Sequence, residues 1–510
     1  MQPQTVKLAL LASALCFLAA PGVRAQDSGL GSLASPGVGP ADVGLQVYAG
    51  NAPNANQGLA IGPWLVYPSF YGGYVYNDNV FARKNNRVGL SGVQISPSVE
   101  AGMDSGVWRT NFSFGASTLI YPGSSGQNRT NPYTGTTVND APPTNLTGHV
   151  SVSETWLPLA DLSVMGTGNF TRTEGLFGAS SPTNGFGLGT PGVTASAFNP
   201  SYIPTIGTFS SQQQYTNMYG GQLSVQKTIN ERTSVSGSVY AQGVSYDSTP
   251  STTQLINGVP TKVGSSSGPG GMSYGASLRG SFYATPQVYV FVQPGVSLQR
   301  FDTAYYDSNG YQVNVGAGSN LIGLFQGEVY GGWQSQSSVY GRFGTRAAPS
   351  FGANIRYVPT PLLTLSLNFS QSLGAMGSMG AGITPVATNP RNGLGFTQQV
   401  YLSADYGFNS YMNLSVRGGW GQTRQSGSGG LLGAGYSGFG FAGSAYSNQI
   451  VGASASLSYN FWRSTSLTLS YNFTKSSASN QQATLYYPNA NILQLGYVQN
   501  VFTLGVRYSY

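Results

Sequence analysis

The last nine residues alternate strictly. Phe502, Leu504, Val506, Tyr508 and Tyr510 fall on one side, and Thr503, Gly505, Arg507 and Ser509 on the other. Successive side chains of a strand point to opposite faces, so this spacing predicts a β-strand with one apolar and one polar face. The same code recurs in Leu467, Leu469, Tyr471 and Phe473 against Thr468, Ser470, Asn472 and Thr474. It recurs again in Leu363, Leu365, Leu367 and Phe369 against Thr364, Ser366, Asn368 and Ser370. A soluble sandwich would alternate in the same way, with its apolar face turned inward. The aromatics separate the two cases. Tyr274 and Phe282, Phe351 and Tyr357, Phe396 and Tyr406, and Tyr459 and Phe461 stand near the ends of apolar faces. Aromatic girdles of that kind mark the two interfaces of a membrane barrel.

The connections alternate between short and long. Met103 to Ser105, Pro158 to Asp161, Asn230 to Arg232, Thr285 to Gln287, Pro359 to Pro361, Asn409 to Ser410 and Arg463 to Ser464 are short. Between them lie Gly, Ser, Asn and Thr-rich stretches such as Pro122 to Thr144, Gly175 to Gln214, Asp247 to Gly271 and Gln425 to Ser447. Outer-membrane barrels carry short periplasmic turns and long external loops. The expected fold is therefore all-β: a transmembrane antiparallel barrel of about 18 strands, or 16 if the weakly alternating region Phe301 to Ser350 contributes fewer. Even parity puts both ends of the barrel on the periplasmic side.

Composition excludes the soluble alternative. Only 7% of residues are charged, while Gly (72) and Tyr (33) are abundant; an ordinary soluble domain has roughly 25% charged residues. Residues 1–25 read as a signal peptide: Lys7, an apolar run from Leu8 to Ala20, and Val23-Arg24-Ala25 at the cleavage region. Cys16 belongs to that apolar run, so the exported chain would have no thiol chemistry. The formal charge of +7 loses Lys7 and Arg24 with the signal, leaving +5, with no clustered basic patch that would suggest a nucleic-acid partner. Residues 26–62, rich in Gly, Pro, Ala and Asn, read as a flexible periplasmic leader or alternatively a lumenal plug. The barrel then spans 63–510.

Tyr74-Val-Tyr-Asn-Asp-Asn-Val-Phe81, followed by Ile95-Ser-Pro-Ser-Val99, resembles the opening of an outer-membrane porin family, the exopolysaccharide-associated "β-barrel porin 2" type. Asp307-Ser-Asn-Gly-Tyr311 and Tyr357-Val-Pro-Thr-Pro-Leu-Leu-Thr-Leu365 resemble further landmarks, and the similarity spans Pro63 to Tyr510. The resemblance implies a porin-like barrel with a saccharide or polysaccharide association.

Catalysis is not expected. His149 is the single histidine, and Ser151 and Ser153 share its face without an acid at that level; a nucleophile needs a base that a third group orients. One histidine and scattered carboxylates make no metal site, and Gly185 to Gly192 follows no strand–helix pattern that could hold phosphate. No cofactor is implied. The informative charges are Arg109, Arg279, Arg356, Arg417 and Arg507, which alternation places on the polar face near short turns or the C-terminus. They form either a bracing network with Glu100, Glu328 and Asp405 or a basic belt that draws anions into the lumen. Loop Gly175 to Gln214 carries no charge, so it could occlude but could not screen electrostatically. Tyr240, Tyr283, Tyr289 and Tyr401 stand on the polar face among Ser, Thr, Asn and Gln, a lining suited to sugars.

The resulting expectation is an exported outer-membrane barrel that is not an enzyme and gives a passive pathway for saccharide or exopolysaccharide. A general diffusion porin for small solutes and a surface-anchoring or adhesive barrel are the alternatives. Its partners would be outer-membrane lipid, the barrel-assembly machinery (through the Phe502, Leu504, Val506, Tyr508, Tyr510 strand) and saccharide. Oligomeric state is left open.

Overall fold

A computed structural model of the chain describes residues 58–80, 87–122, 127–130, 137–140, 145–176, 213–247, 252–256, 259–263, 271–302, 307–322, 324–340, 345–374, 395–409, 411–425, 446–462, 464–480 and 496–510. The expected signal peptide, nearly all of the expected leader, Gly185 to Gly192 and most of the stretch Gly175 to Gln214 lie outside these residues.

Eighteen strands form one closed antiparallel barrel. They are β1 (Trp64–Asn77), β2 (Leu90–Asp104), β3 (Trp108–Ile120), β4 (Asn145–Leu159), β5 (Leu162–Leu176), β6 (Gln213–Asn230), β7 (Thr233–Asp247), β8 (Gly271–Tyr283) and β9 (Val288–Phe301). The second half comprises β10 (Ser308–Ile322), β11 (Phe325–Ser338), β12 (Thr345–Thr360), β13 (Leu363–Gly374), β14 (Gly395–Asn409), β15 (Met412–Gln425), β16 (Tyr446–Trp462), β17 (Thr465–Asn480) and β18 (Gly496–Ser509). Each strand pairs with the next in sequence. β18 then closes on β1 in the register Ser69↔Ser509 to Asn77↔Val501. Closure is what a bilayer demands, because an open edge would leave backbone N–H and C=O groups unpaired in lipid.

The weak region resolves into full strands. The apolar run Leu321-Ile322-Gly323-Leu324-Phe325 reads as the start of a strand, yet β10 ends at Ile322 and β11 begins at Phe325. β12 begins at Thr345, within the weakly alternating region, because Thr345 to Ser350 pair with Ser337 to Gly332. Two stretches expected as plain loops carry hairpins: Gln127–Thr130 with Thr137–Asp140, and Thr252–Ile256 with Val259–Val263. At the start of the barrel, Leu59–Ile61 folds back on Trp64–Val66. Gly62 supplies the positive φ of 61° that the first central position of this two-residue turn requires.

Side-chain exposure fixes the facing. Phe502, Leu504, Val506 and Tyr508 are exposed on the outside, whereas Thr503 between them is buried. Leu223, Val239, Leu278, Val292, Val313, Val329, Leu402 and Leu469 continue the outward apolar surface around the barrel. Aromatic pairs stand at its periplasmic edge: Trp108 with Trp156, Phe325 stacked on Tyr357 at 4.2 Å, and Tyr406 edge-on to Phe408. Among the described residues no helix is long and apolar enough to cross a membrane. Strands do the crossing.

Candidate functional site

Every strand contributes to the inner wall, and two of its arcs are built in different ways. Strands β4 to β7 present hydroxyls and amides. Outward Leu146, Trp156, Phe170, Tyr219, Leu223 and Val239 set the phase, so His149, Ser151, Thr167, Asn169, Gln222, Ser224, Ser236 and Ser238 face the lumen. These inward residues are partly or fully accessible, with Asn169 the most open. Among the described residues, none of the inward side chains of this arc is charged. His149 pairs across to Thr171 and Gly115, and a side chain at Gly115 would collide with its imidazole. It therefore lies flat on the wall. Ser151 shares a hydrogen bond with Ser113 at 2.7 Å, and Ser238 one with Ser277 at 2.8 Å. No base–nucleophile geometry forms around the histidine among the described residues.

Strands β8 to β12 are built differently. Arg279 is 6% exposed and donates from both terminal nitrogens to Glu328, at 3.4 and 2.5 Å. Tyr289 donates to the same carboxylate at 3.0 Å. The guanidinium lies over the Phe291 ring, 3.7 Å from its centroid, a cation–π contact that adds to the ion pair. Both rings fit because glycine stands opposite: a side chain at Gly316 would strike Phe291, and one at Gly318 would strike Tyr289. Toward the external end, Gln336 donates to Gln299 (2.9 Å) and Ser308 (2.7 Å), and Ser350 donates to Asn314 at 2.6 Å. Gln293, Gln299, Asn314 and Gln336 are all 4% exposed or less. This arc is polar in composition and packed like a core.

The five arginines predicted from sequence all face inward in the periplasmic half, in different environments. Arg109 meets Asp104 across the β2–β3 turn at 2.9 Å, with both side chains more than half exposed at the rim. Arg279 is locked in the packed arc. Arg507 reaches Ser69 at 3.4 Å and lies near enough to Glu100 to interact with its charge. Arg417 neighbours Asp405 on the same face, and Ser415 donates to that carboxylate at 2.6 Å. Arg356 is exposed to the lumen, and among the described residues no ion pair engages it. Asp104 was not among the expected partners. The signal was available, since it directly precedes the turn and pairs in register with Arg109.

The lumenal tyrosines also separate. Tyr289 is 6% exposed and unavailable to a solute, while Tyr240, Tyr283 and Tyr401 keep part of their surface open. Outside the lumen, Lys227 pairs with Asp161 at 2.6 Å across a periplasmic turn. That hydrogen bond and charge hold the Asp161 carboxyl below the usual carboxylate range.

A family model described as "putative beta-barrel porin 2" matches residues 194–499. Comparison with curated proteins returns no match. Among solved structures the chain is similar to a ferric enterobactin receptor mutant from Pseudomonas aeruginosa, with TM-score 0.44 and 9% identity over 89% of this chain and 81% of that one. It is also similar to the FrpB iron transporter from Neisseria meningitidis, with TM-score 0.42 and 9% identity over 89% and 82% of the two chains.

Proposed function

This chain belongs to the "putative beta-barrel porin 2" family, and we propose that it gives neutral, hydroxylated solutes, saccharides above all, a passive pathway across the outer membrane. The observation that carries this reading is the β4–β7 arc. Its accessible hydroxyl and amide groups can exchange hydrogen bonds with a sugar as they do with water, and they bear no charge that would bind a solute and retain it. Partly open Tyr240 adds an aromatic face to the same wall. A barrel of this strand number leaves an aqueous channel unless something fills it.

On this reading the protein works without a cofactor and without catalysis. It is exported by residues 1–25, assembled through its C-terminal strand and held in the outer membrane by its apolar exterior. The arginines brace the inner wall more than they attract anions, because four of them have a carboxylate beside them. Planar-bilayer recording of the purified barrel tests the proposal. Ohmic channels that neutral oligosaccharides transiently block are the expected result. Channels indifferent to oligosaccharide would point to general diffusion of small solutes. A barrel that never conducts would point to anchoring or display.

A further inference from the structure

An apolar cluster occupies the inside of the external mouth, where a water-filled lumen has no use for one. Val75 of β1, Leu119 of β3, Tyr121 just beyond it and Val501 of β18 are each 6% exposed or less and pack together, with Leu90 at the margin. All point inward, since their neighbours Tyr74, Tyr76, Ile120 and Phe502 are the exposed, outward residues. The fifth buried member is Val80, 3% exposed, which belongs to no strand. It sits three residues beyond the end of β1, on the first external connection. The floor is prepared for this packing. A Cβ at Gly92 would lie 3.0 Å from both Leu119 and Tyr121 and 2.8 Å from the Ile120 carbonyl.

Polar contacts fix the same segment to the seam where the barrel closes. The Asp78 carboxylate accepts from the backbone N–H and the side-chain amide of Asn500, both at 2.6 Å. Asn79 donates to the Val498 carbonyl at 2.8 Å. Gln499 donates to Asn77 at 3.2 Å and to the Asn79 carbonyl at 3.0 Å. The backbone of Val80 bonds that of Val88 at 3.0 Å. Asn77 and Asn79 are fully buried.

We propose that Asn77–Val80 forms a fixed inward shelf that narrows the external mouth on the side of the β1–β18 seam and so filters solutes by size. The proposal rests on the pathway reading above. Val80 is the anchor, because an apolar socket closed to water holds valine and rejects a carboxylate. Asp78 is the positioning residue that keeps the turn on β18.

Single-channel conductance tests the shelf. Val80→Asp and Asp78→Ala should each raise it above wild type, and Val80→Ala should raise it less while disturbing folding least. Separately, Val80→Cys in a Cys16→Ser background should resist a membrane-impermeant maleimide applied from outside. A conducting wild type whose conductance is unchanged in all three variants would overturn the shelf and leave the pathway standing. Rapid labelling of Val80→Cys would overturn the shelf as well. A wild type that conducts nothing would overturn the pathway, and the filtering role with it, even if the cysteine were protected.

Discussion

Strands β8 to β12 and strands β4 to β7 turn the same kind of face to the lumen, small, hydroxylic and amide-rich, and use it in opposite ways. In the first arc Arg279, Glu328, Tyr289 and Phe291 interlock over Gly316 and Gly318, and glutamines bridge neighbouring strands. In the second, apart from His149 over Gly115 and Tyr240 over Gly275, small residues stand side by side and keep part of their surface open. The difference lies in side-chain length and in where glycine falls. A long inward residue opposite glycine lies down and packs; a serine opposite a threonine stays open. Polarity of a lumenal face therefore does not imply access. On the proposed reading one arc stiffens the barrel and the other is the path of the solute.

The largest expected effect lies in the packed arc. Glu328→Ala would take the carboxylate away from buried Arg279, and losing one partner of a buried ion pair costs about 3–5 kcal/mol. Ser151→Ala in the open arc removes one hydroxyl that water can replace, and should stay within about 0.5 kcal/mol. Urea midpoints of the refolded barrel, read by heat-modifiable mobility, should show that gap. Comparable losses would erase the distinction between the arcs. The double variant Arg279→Met with Glu328→Leu should recover most of the stability, because apolar replacement of a buried ion pair is often neutral.

Bulk gives a second, smaller contrast. Gln293 is 2% exposed, so Gln293→Trp overpacks the wall at a cost of about 1–3 kcal/mol. Asn169→Trp should fold normally, because that side chain is exposed, and should lower conductance and uptake of neutral sugars by projecting into the pathway. If Asn169→Trp leaves both unchanged while folding is intact, solutes do not pass along β4 to β7.

Most of the architecture was legible in the sequence, because alternation and turn chemistry are local. Strand number, parity and the inward facing of residues such as Ser470 and Arg507 follow from a period of two and from the spacing of short turns. The Ile322 to Phe325 turn blurred because an apolar run hides it. What local pattern cannot show is which inward residues meet. Arg279 and Glu328 are 49 positions apart, and Asp78 and Asn500 are 422 apart. Those contacts depend on register summed around the closed barrel. Val80 shows the same limit more sharply: it lies outside any alternating segment, and only the seam explains its burial.

Charge supplies the smallest effect. Among the described residues, the inward side chains of the periplasmic half include five cations, Arg109, Arg279, Arg356, Arg417 and Arg507, against four acids, Glu100, Asp104, Glu328 and Asp405, an excess of one positive charge. Arg356 is the cation whose position best matches that excess, being exposed on the wall without an ion pair among the described residues. Wild type should therefore prefer anions slightly, and the preference should fade with salt because screening confines it to ~8 Å at physiological ionic strength. Arg356→Gln keeps a hydrogen-bonding side chain and removes the charge, so reversal potentials across a salt gradient should move toward cation preference. The Arg279→Met, Glu328→Leu pair removes one charge of each sign from inside the packed arc, where ions do not reach, and should leave the potential where it was. A shift in the double variant would mean that ions reach the Arg279–Glu328 cluster, so that the interior of the packed arc is as open to them as Arg356 on β12 is.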